Sequence, residues 1–374
     1  MAPDLDDAAR CLGVARGRQR NCWAKRDKWQ ALSASATNAL VSALICIFIL
    51  SGCHRTKLRS PEDIDTEIVA KIHNNQFDDA LHQADQASRD YAQRDSRWYW
   101  QFQIWAARAQ LYRGQYNDVI ERLKPPLPAE FAHGDMAAIR KMTLAYAEAA
   151  TQQFRSAKAD IADAEQLAIA SSPSIQMQVL QTRADIEFDN KEYIESEASL
   201  RRALELARAQ GSQVTEATVQ GGLGNAAMGQ EHFDEAIDHY NASLDLAKRT
   251  GKNFSVPLTL GNLGWSYDAL GDYANAEESF KQAEQQAHQA EQAADRISWL
   301  SNLANVYRET REYAKAESTA NQALTLATDL GDPHTTVQCL NSLTDIALDT
   351  DRLEQAEQLN RRAQKLEGTG FDQQ

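Results

Sequence analysis

The side chains able to do chemistry in this sequence are few, and most lack the partners a reaction needs. Its eight histidines are scattered without metal-ligand spacing, and no serine, histidine and aspartate are gathered on a turn motif. Gly221-Gly222-Leu223-Gly224 has the composition of a phosphate loop, yet no strand pattern precedes it and no Gly-Lys-Ser/Thr follows. Two groups remain. One is Cys53, which ends Leu50-Ser51-Gly52-Cys53 and would be nucleophilic as its thiolate. The other is the asparagines, whose amides offer donor and acceptor together and could pair with the backbone of an extended peptide. The sequence predicts a non-enzymatic binding protein, with no catalytic residue, metal or cofactor.

The elements that must hold these residues are helices. In Leu260 to Ala283, Leu260, Leu263, Gly264 and Tyr267 recur at three- and four-residue steps, so they share one helical face. Gly271-Asp272 interrupts the pattern, and Tyr273 opens a second helix in which Ala276, Phe280 and Ala283 share a face. Small Gly264 and Ala276 let the two axes approach. One such hairpin cannot bury its own apolar faces and needs copies on both sides.

The copies are there. Phe77, Tyr116, Phe154, Tyr193, Phe233, Tyr273, Tyr313 and Leu353 open successive second helices at intervals of 39, 38, 39, 40, 40, 40 and 40 residues. Ala80, Ala157, Ser196, Ala236, Ala276, Ala316 and Ala356 follow three positions later in seven of the eight, Val119 being the exception. Gly211, Gly251 and Gly331 stand where second helices end.

The pattern Leu-Gly…Tyr…Gly-x-Tyr-x-x-Ala…Phe-x-x-Ala resembles the tetratricopeptide repeat (TPR), whose usual period is about 34 residues. The resemblance implies an all-α, right-handed α-solenoid of about eight hairpins over residues 62–367, with residues 368–374 a disordered tail. It also implies that the first helices line a concave groove. Carried over by position, the groove residues include Gly221, Gly222 and Asn225; Gly261, Asn262 and Trp265; Ser301, Asn302, Asn305 and Arg308; and Asn341 and Asp345. Asn225, Asn262, Trp265, Asn302, Asn305 and Arg308 are the expected peptide contacts. Asn262 and Asn302 have a second reading, in which they bond to neighbouring helices. The paired Lys and Asn with which some TPR proteins hold a C-terminal carboxylate have no counterpart in these repeats.

The first 52 residues follow other rules. Seven Lys and Arg precede the apolar run Ala39 to Leu50. That run is about twelve residues, or roughly 18 Å as helix, against a hydrocarbon core of about 30 Å, which suits a secretory signal better than a membrane span. Leu50-Ser51-Gly52-Cys53 resembles the bacterial lipobox, which implies cleavage after Gly52 and a diacylglycerol on Cys53. Residues 53–61 would then be a tether, and the protein a lipoprotein of the bacterial cell envelope facing the periplasm. His54 in place of Asp favours the outer membrane. Cleavage leaves 32 basic and 49 acidic residues, a formal charge of −17, which disfavours nucleic acid and anionic lipid surfaces. Cys339 alone would remain unmodified, so no disulfide framework is possible within one mature chain.

Repeat two departs from the others at both ends. It opens on the aromatic stretch Arg97 to Trp105, which reads as core filler or as a ligand clamp, and Pro125-Pro126-Leu127-Pro128 must cut its second helix short. Lipobox, short tether, aromatic second repeat and a period near 40 resemble the N-terminal arm of bacterial TPR proteins that end in a caspase-like CHAT peptidase domain. The expected function is a scaffold or adaptor for a protein or peptide partner, with the membrane reached only through the lipid and no small-molecule substrate. A regulatory arm for a CHAT-type cysteine peptidase, encoded separately or lost by truncation, and an assembly factor for outer-membrane or pilus components are the alternatives.

Overall fold

A computed structural model of the chain describes residues 59–251 and 256–370. The signal segment 1–52, Cys53 and most of the tether lie outside the described residues, as do residues 371–374. From Pro61 onward the chain forms one compact unit.

The described helices pair into eight successive hairpins. They are α1 (Pro61–His73) with α2 (Phe77–Tyr91), α3 (Ser96–Tyr112) with α4 (Tyr116–Leu123), α5 (Asp135–Ala150) with α6 (Phe154–Ala168), and α7 (Pro173–Asp189) with α8 (Tyr193–Ala209). The second four are α9 (Gln213–Gly229) with α10 (Phe233–Thr250), α11 (Val256–Ala269) with α12 (Tyr273–Gln289), α13 (Ala293–Glu309) with α14 (Tyr313–Leu330), and α15 (Pro333–Asp349) with α16 (Leu353–Gly370). Each helix packs on its neighbours in sequence, which makes the fold an all-α solenoid. Every second helix opens on the residue the spacing assigned to it. The last one runs to Gly370, beyond the expected boundary at 367.

The same backbone device closes all eight hairpins. Asn75, Gly114, Gln152, Lys191, Glu231, Gly271, Arg311 and Asp351 hold φ between 57° and 75°. The amide of the next residue bonds back to a carbonyl five residues earlier, as in Gln76 to Lys71, Asp272 to Tyr267 and Arg352 to Ala347 at 2.8–2.9 Å. This is the Schellman motif, which satisfies carbonyls that the end of a helix would leave open. Only two of the eight left-handed positions carry glycine; the other six bear the steric cost of a Cβ. Between repeats, Gly211, Gly251 and Gly331 take the left-handed position as expected, and Glu291 at φ 56° fills it where a glycine is missing.

Within the hairpins, residue volumes are exchanged across the helix pair. A Cβ on Gly264 would stand 2.7 Å from the Phe280 ring, and one on Gly224 would stand 2.4 Å from Tyr240. The corresponding pairs elsewhere are Ala184 with Leu200, Ala145 with Ile161 and Ala304 with Ala320, each pair sharing one buried cluster. A large ring on one helix thus goes with no side chain on the other. At the C-terminal end, α16 buries Ala356 and Ala363 and turns Glu357, Gln358, Asn360, Arg361 and Arg362 outward, so the last repeat presents a polar face to solvent.

Repeat two breaks the pattern. Its second helix stops at eight residues, because Pro125 and Pro126 cannot donate to the ladder. The freed carbonyls of Leu123 and Pro125 accept from the guanidinium of Arg140, the latter at 3.0 Å. Arg140 is only 7% exposed, and burial lowers its proton affinity. A buried arginine therefore caps the shortened helix. In the aromatic stretch, Phe102 is fully buried and stacks on Trp98 at 5.6 Å, which is packing. Trp105 is half-buried, donates to Asp65 at 2.6 Å and carries the Arg108 guanidinium 5.2 Å above its ring.

Candidate functional site: the inner wall of the first helices

First helices of neighbouring repeats touch one another directly along most of the solenoid, so they form its inner wall. The positions fall in register. Arg108, Tyr146, Asp185, Asn225, Trp265, Asn305 and Asp345 each lie eight residues before the residue that opens the following helix.

The expected site residues all stand on α9, α11 and α13, but the structure joins only some of them. Asn225 Oδ1 accepts from the Tyr240 hydroxyl at 2.8 Å and from Asn262 Nδ2 at 2.8 Å. The contact crosses from one repeat to the next, so for Asn262 the neighbouring-helix reading holds. Burial raises the Tyr240 hydroxyl well above its ordinary range, which keeps it a neutral donor. Asn302 does not share this bond, and its side chain has no hydrogen-bond partner among the described residues.

Trp265 is 40% exposed and meets Trp299 edge to face, with ring centroids 5.6 Å apart. Trp299 is 3% exposed and lies across Gly261, where an added Cβ would come within 2.2 Å of its ring. Gly261 is therefore floor rather than groove surface, a correction to the positional assignment. The motif register marks where a residue sits on its helix and does not reveal which neighbouring ring covers it. Gly222 is likewise covered, its nearest atom being Leu200 Cδ2 at 3.0 Å from an added Cβ. Asn305 is exposed and shares a small recess with Arg308, Ser342 and Asp345. Arg308 is held by Glu309 at 3.1 Å, Asp345 at 3.4 Å and Asp349 at 3.8 Å.

A larger hollow opens on the inner wall of repeats two to four. It measures about 500 Å³ and is lined by Arg108, Tyr112, Tyr116, Tyr146 and Asp185, with Thr143, Gln178, Gln181 and Thr182 between them. The Asp185 side chain is open to solvent at its own surface yet enclosed by surrounding helices. That enclosure, with Asp189 one turn on, pushes its carboxyl up to about 6. Asp189 is raised by the same enclosure. Tyr146 is raised by burial and then by Asp185. Sequence reasoning drew the groove from repeats five to eight and missed this region. The signal was available, since Asp185 occupies the same register as Asn225, Trp265 and Asn305. On the other side of this region a second hollow of about 820 Å³ sits beside the shortened α4, lined among others by Arg140, Lys141, Glu148 and Asp160.

Among the described residues no group of His, Cys, Asp and Glu is arranged to hold a metal ion, and no helix is long and apolar enough to cross a membrane. Cys339 is buried, its thiol raised by that burial, with Ser301 Oγ 4.0 Å from its sulfur.

No curated protein matches the chain. Among solved structures, the apo form of RapI is similar at TM-score 0.66 and 16% identity, over 81% of this chain and 85% of that one. A signal transduction ATPase with a tetratricopeptide repeat sensor, PH0952 from Pyrococcus horikoshii, aligns at TM-score 0.67 and 16% identity over 90% of this chain, which spans 54% of that protein. A Rap protein in complex with competence and sporulation factor aligns at TM-score 0.57 and 14% identity, over 84% of this chain and all of that one. At such identities the likeness establishes the fold. The MalT-like TPR region model matches residues 178–371, slightly more than half of the sequence and the whole of its regular repeats. With the eight hairpins and their common register, that match makes the chain a member of the MalT-like tetratricopeptide-repeat family.

Proposed function

We propose that this chain is a non-enzymatic scaffold that holds a segment of a partner protein against the inner wall of its first helices, and that a lipid on Cys53 tethers it to the bacterial cell envelope. The observation that carries the binding half is an inner wall with open positions at regular spacing. Trp265 is 40% exposed there, and Asn302 and Asn305 keep their amides unpaired among the described residues. An amide pair recognises peptide backbone, and a half-exposed indole gives a flat apolar contact. The Rap protein crystallised with competence and sporulation factor shares this fold and supports the reading.

The tether rests on Leu50-Ser51-Gly52-Cys53 behind an apolar run of signal length. The two halves are tested separately. Trp265→Ala with Asn302→Ala and Asn305→Ala should abolish retention of peptides from a random nonapeptide library while leaving the helical circular dichroism unchanged; undiminished retention would remove this wall as the site. Incorporation of radioactive palmitate, lost in Cys53→Ala, tests the anchor, and absence of label in the parent chain would refute it.

A further inference from the structure

We propose that the occupant of the inner wall is a positively charged peptide segment, one of whose lysine or arginine side chains enters the hollow of repeats two to four and pairs with Asp185. This rests on the scaffold reading and names the chemistry of the partner.

Three observations point the same way. First, the hollow, at about 500 Å³, admits a long side chain, and three of its walls are the rings of Tyr112, Tyr116 and Tyr146. Aromatic faces attract a cation through their quadrupole while packing on its aliphatic stem. Second, Asp185 and Asp189 have no ion-pair or side-chain hydrogen-bond partner among the described residues, whereas other acids do meet a cation, Glu317 with Arg352 at 2.9 Å and Glu192 with Lys158 at 2.6 Å. Two carboxylates one helical turn apart repel each other until a cation arrives. Third, acids outnumber cations at the open positions along the rest of the wall. Asp268 is also unpartnered, its carboxyl raised by burial and by Glu309, and Arg308 is already met by three carboxylates. Among the described residues the one cation lining the hollow is Arg108, which lies over the Trp105 ring and makes no ion pair. It shares the lining with Asp185, and no ion pair joins the two among the described residues. The formal charge of −14 for the whole chain steers the same partner inward.

The titratable groups around Asp185 are Asp189 on its own helix, and Tyr146 on α5, Arg108 and Tyr112 on α3 and Tyr116 at the start of α4, which share the lining. Among the described residues no histidine lines the hollow. Loss of the cation's partner on acidification therefore falls to the two aspartates. Capture should decline as pH falls through about 6, where Asp185 takes up its proton.

The test uses the full chain, immobilised and panned at pH 7.5 with a random nonapeptide library. The expected result is enrichment of Lys or Arg in the retained peptides. A synthetic copy of the most enriched peptide should bind Asp185→Asn about tenfold more weakly, a loss of about 1.4 kcal/mol, and Asp185→Glu nearly as well as the parent. Retained peptides without cationic enrichment, or equal binding by Asp185→Asn of unchanged helicity, would overturn the charge assignment and leave the scaffold reading standing. Retention of no peptide at all would overturn both. If Asp185→Asn loses helicity, the same comparison on Asp189→Asn decides, with a several-fold loss expected.

Discussion

Repeats five to eight and repeats two to four are built from the same hairpin and end with opposite surfaces. In the regular half, three large rings each lie over a glycine: Tyr240 over Gly224, Phe280 over Gly264, Trp299 over Gly261. One set of polar atoms there closes across two repeats, from Tyr240 through Asn225 to Asn262. In the irregular half, one pair of prolines shortens α4, and a buried arginine is recruited to cap it. Two hollows flank the same stretch, and the carboxylate of Asp185, without a partner among the described residues, lines one of them. Regularity yields a wall with a closed floor, because each repeat finds its neighbour already shaped to receive it, and Trp265 and Asn305 stand exposed along that wall at a constant spacing. A break in the repeat leaves space and unspent charge, which is what a binding site needs.

Removing the device that tolerates the break should have the largest effect. Arg140→Met leaves the carbonyls of Leu123 and Pro125 without a donor inside the protein, and a loss of about 3 kcal/mol is expected in urea unfolding. Next is the volume exchange of the regular half. Gly264→Ala forces its Cβ against Phe280 and should cost about 2 kcal/mol, and adding Phe280→Leu, which recreates the Ala184 and Leu200 pairing, should recover most of it. If the double variant is no better than the single, the two positions do not share one volume.

A smaller effect of opposite sign is expected at the hairpin turns. Glu231 holds φ at 60°, so Glu231→Gly should stabilise by about 0.5–1 kcal/mol, whereas Lys248→Gly inside α10 should not. The smallest change is at Asp185. Its carboxyl is raised in the folded chain, so between the ordinary aspartate value and about 6 the native state holds more protons than the unfolded one, and this group's contribution to stability falls as pH rises through that window. Asp185→Asn should therefore raise the melting temperature slightly at pH 7.5 and leave it unchanged at pH 4. An equal shift at both pH values would show that the carboxylate is not under pressure.

Much of this was readable from the residues. The openers from Phe77 to Leu353, the small residue three positions on and the glycines at 211, 251 and 331 each have one cause in helix packing or capping. Residue type and spacing therefore located them. The break at Pro125-Pro126 was equally plain, since proline acts through its own backbone. Other features were not readable for reasons that lie between elements. Asn225 and Asn262 carry the same side chain as Asn302 and Asn305, and a helical register assigns all four to one wall. Which two bond across a repeat depends on the rotation of one helix against the next. Arg140 looks like any surface arginine until the carbonyls of a helix seventeen residues away are aimed at it.

The sequence alone determined the number of hairpins, their phase and the face each residue occupies, because these follow from local periodicity and from the need of every hairpin for a neighbour. Only the tertiary structure decided which of those faces stay open. Openness depends on whether the ring or amide of the adjoining repeat reaches across, and that is fixed by the packing of one helix on another.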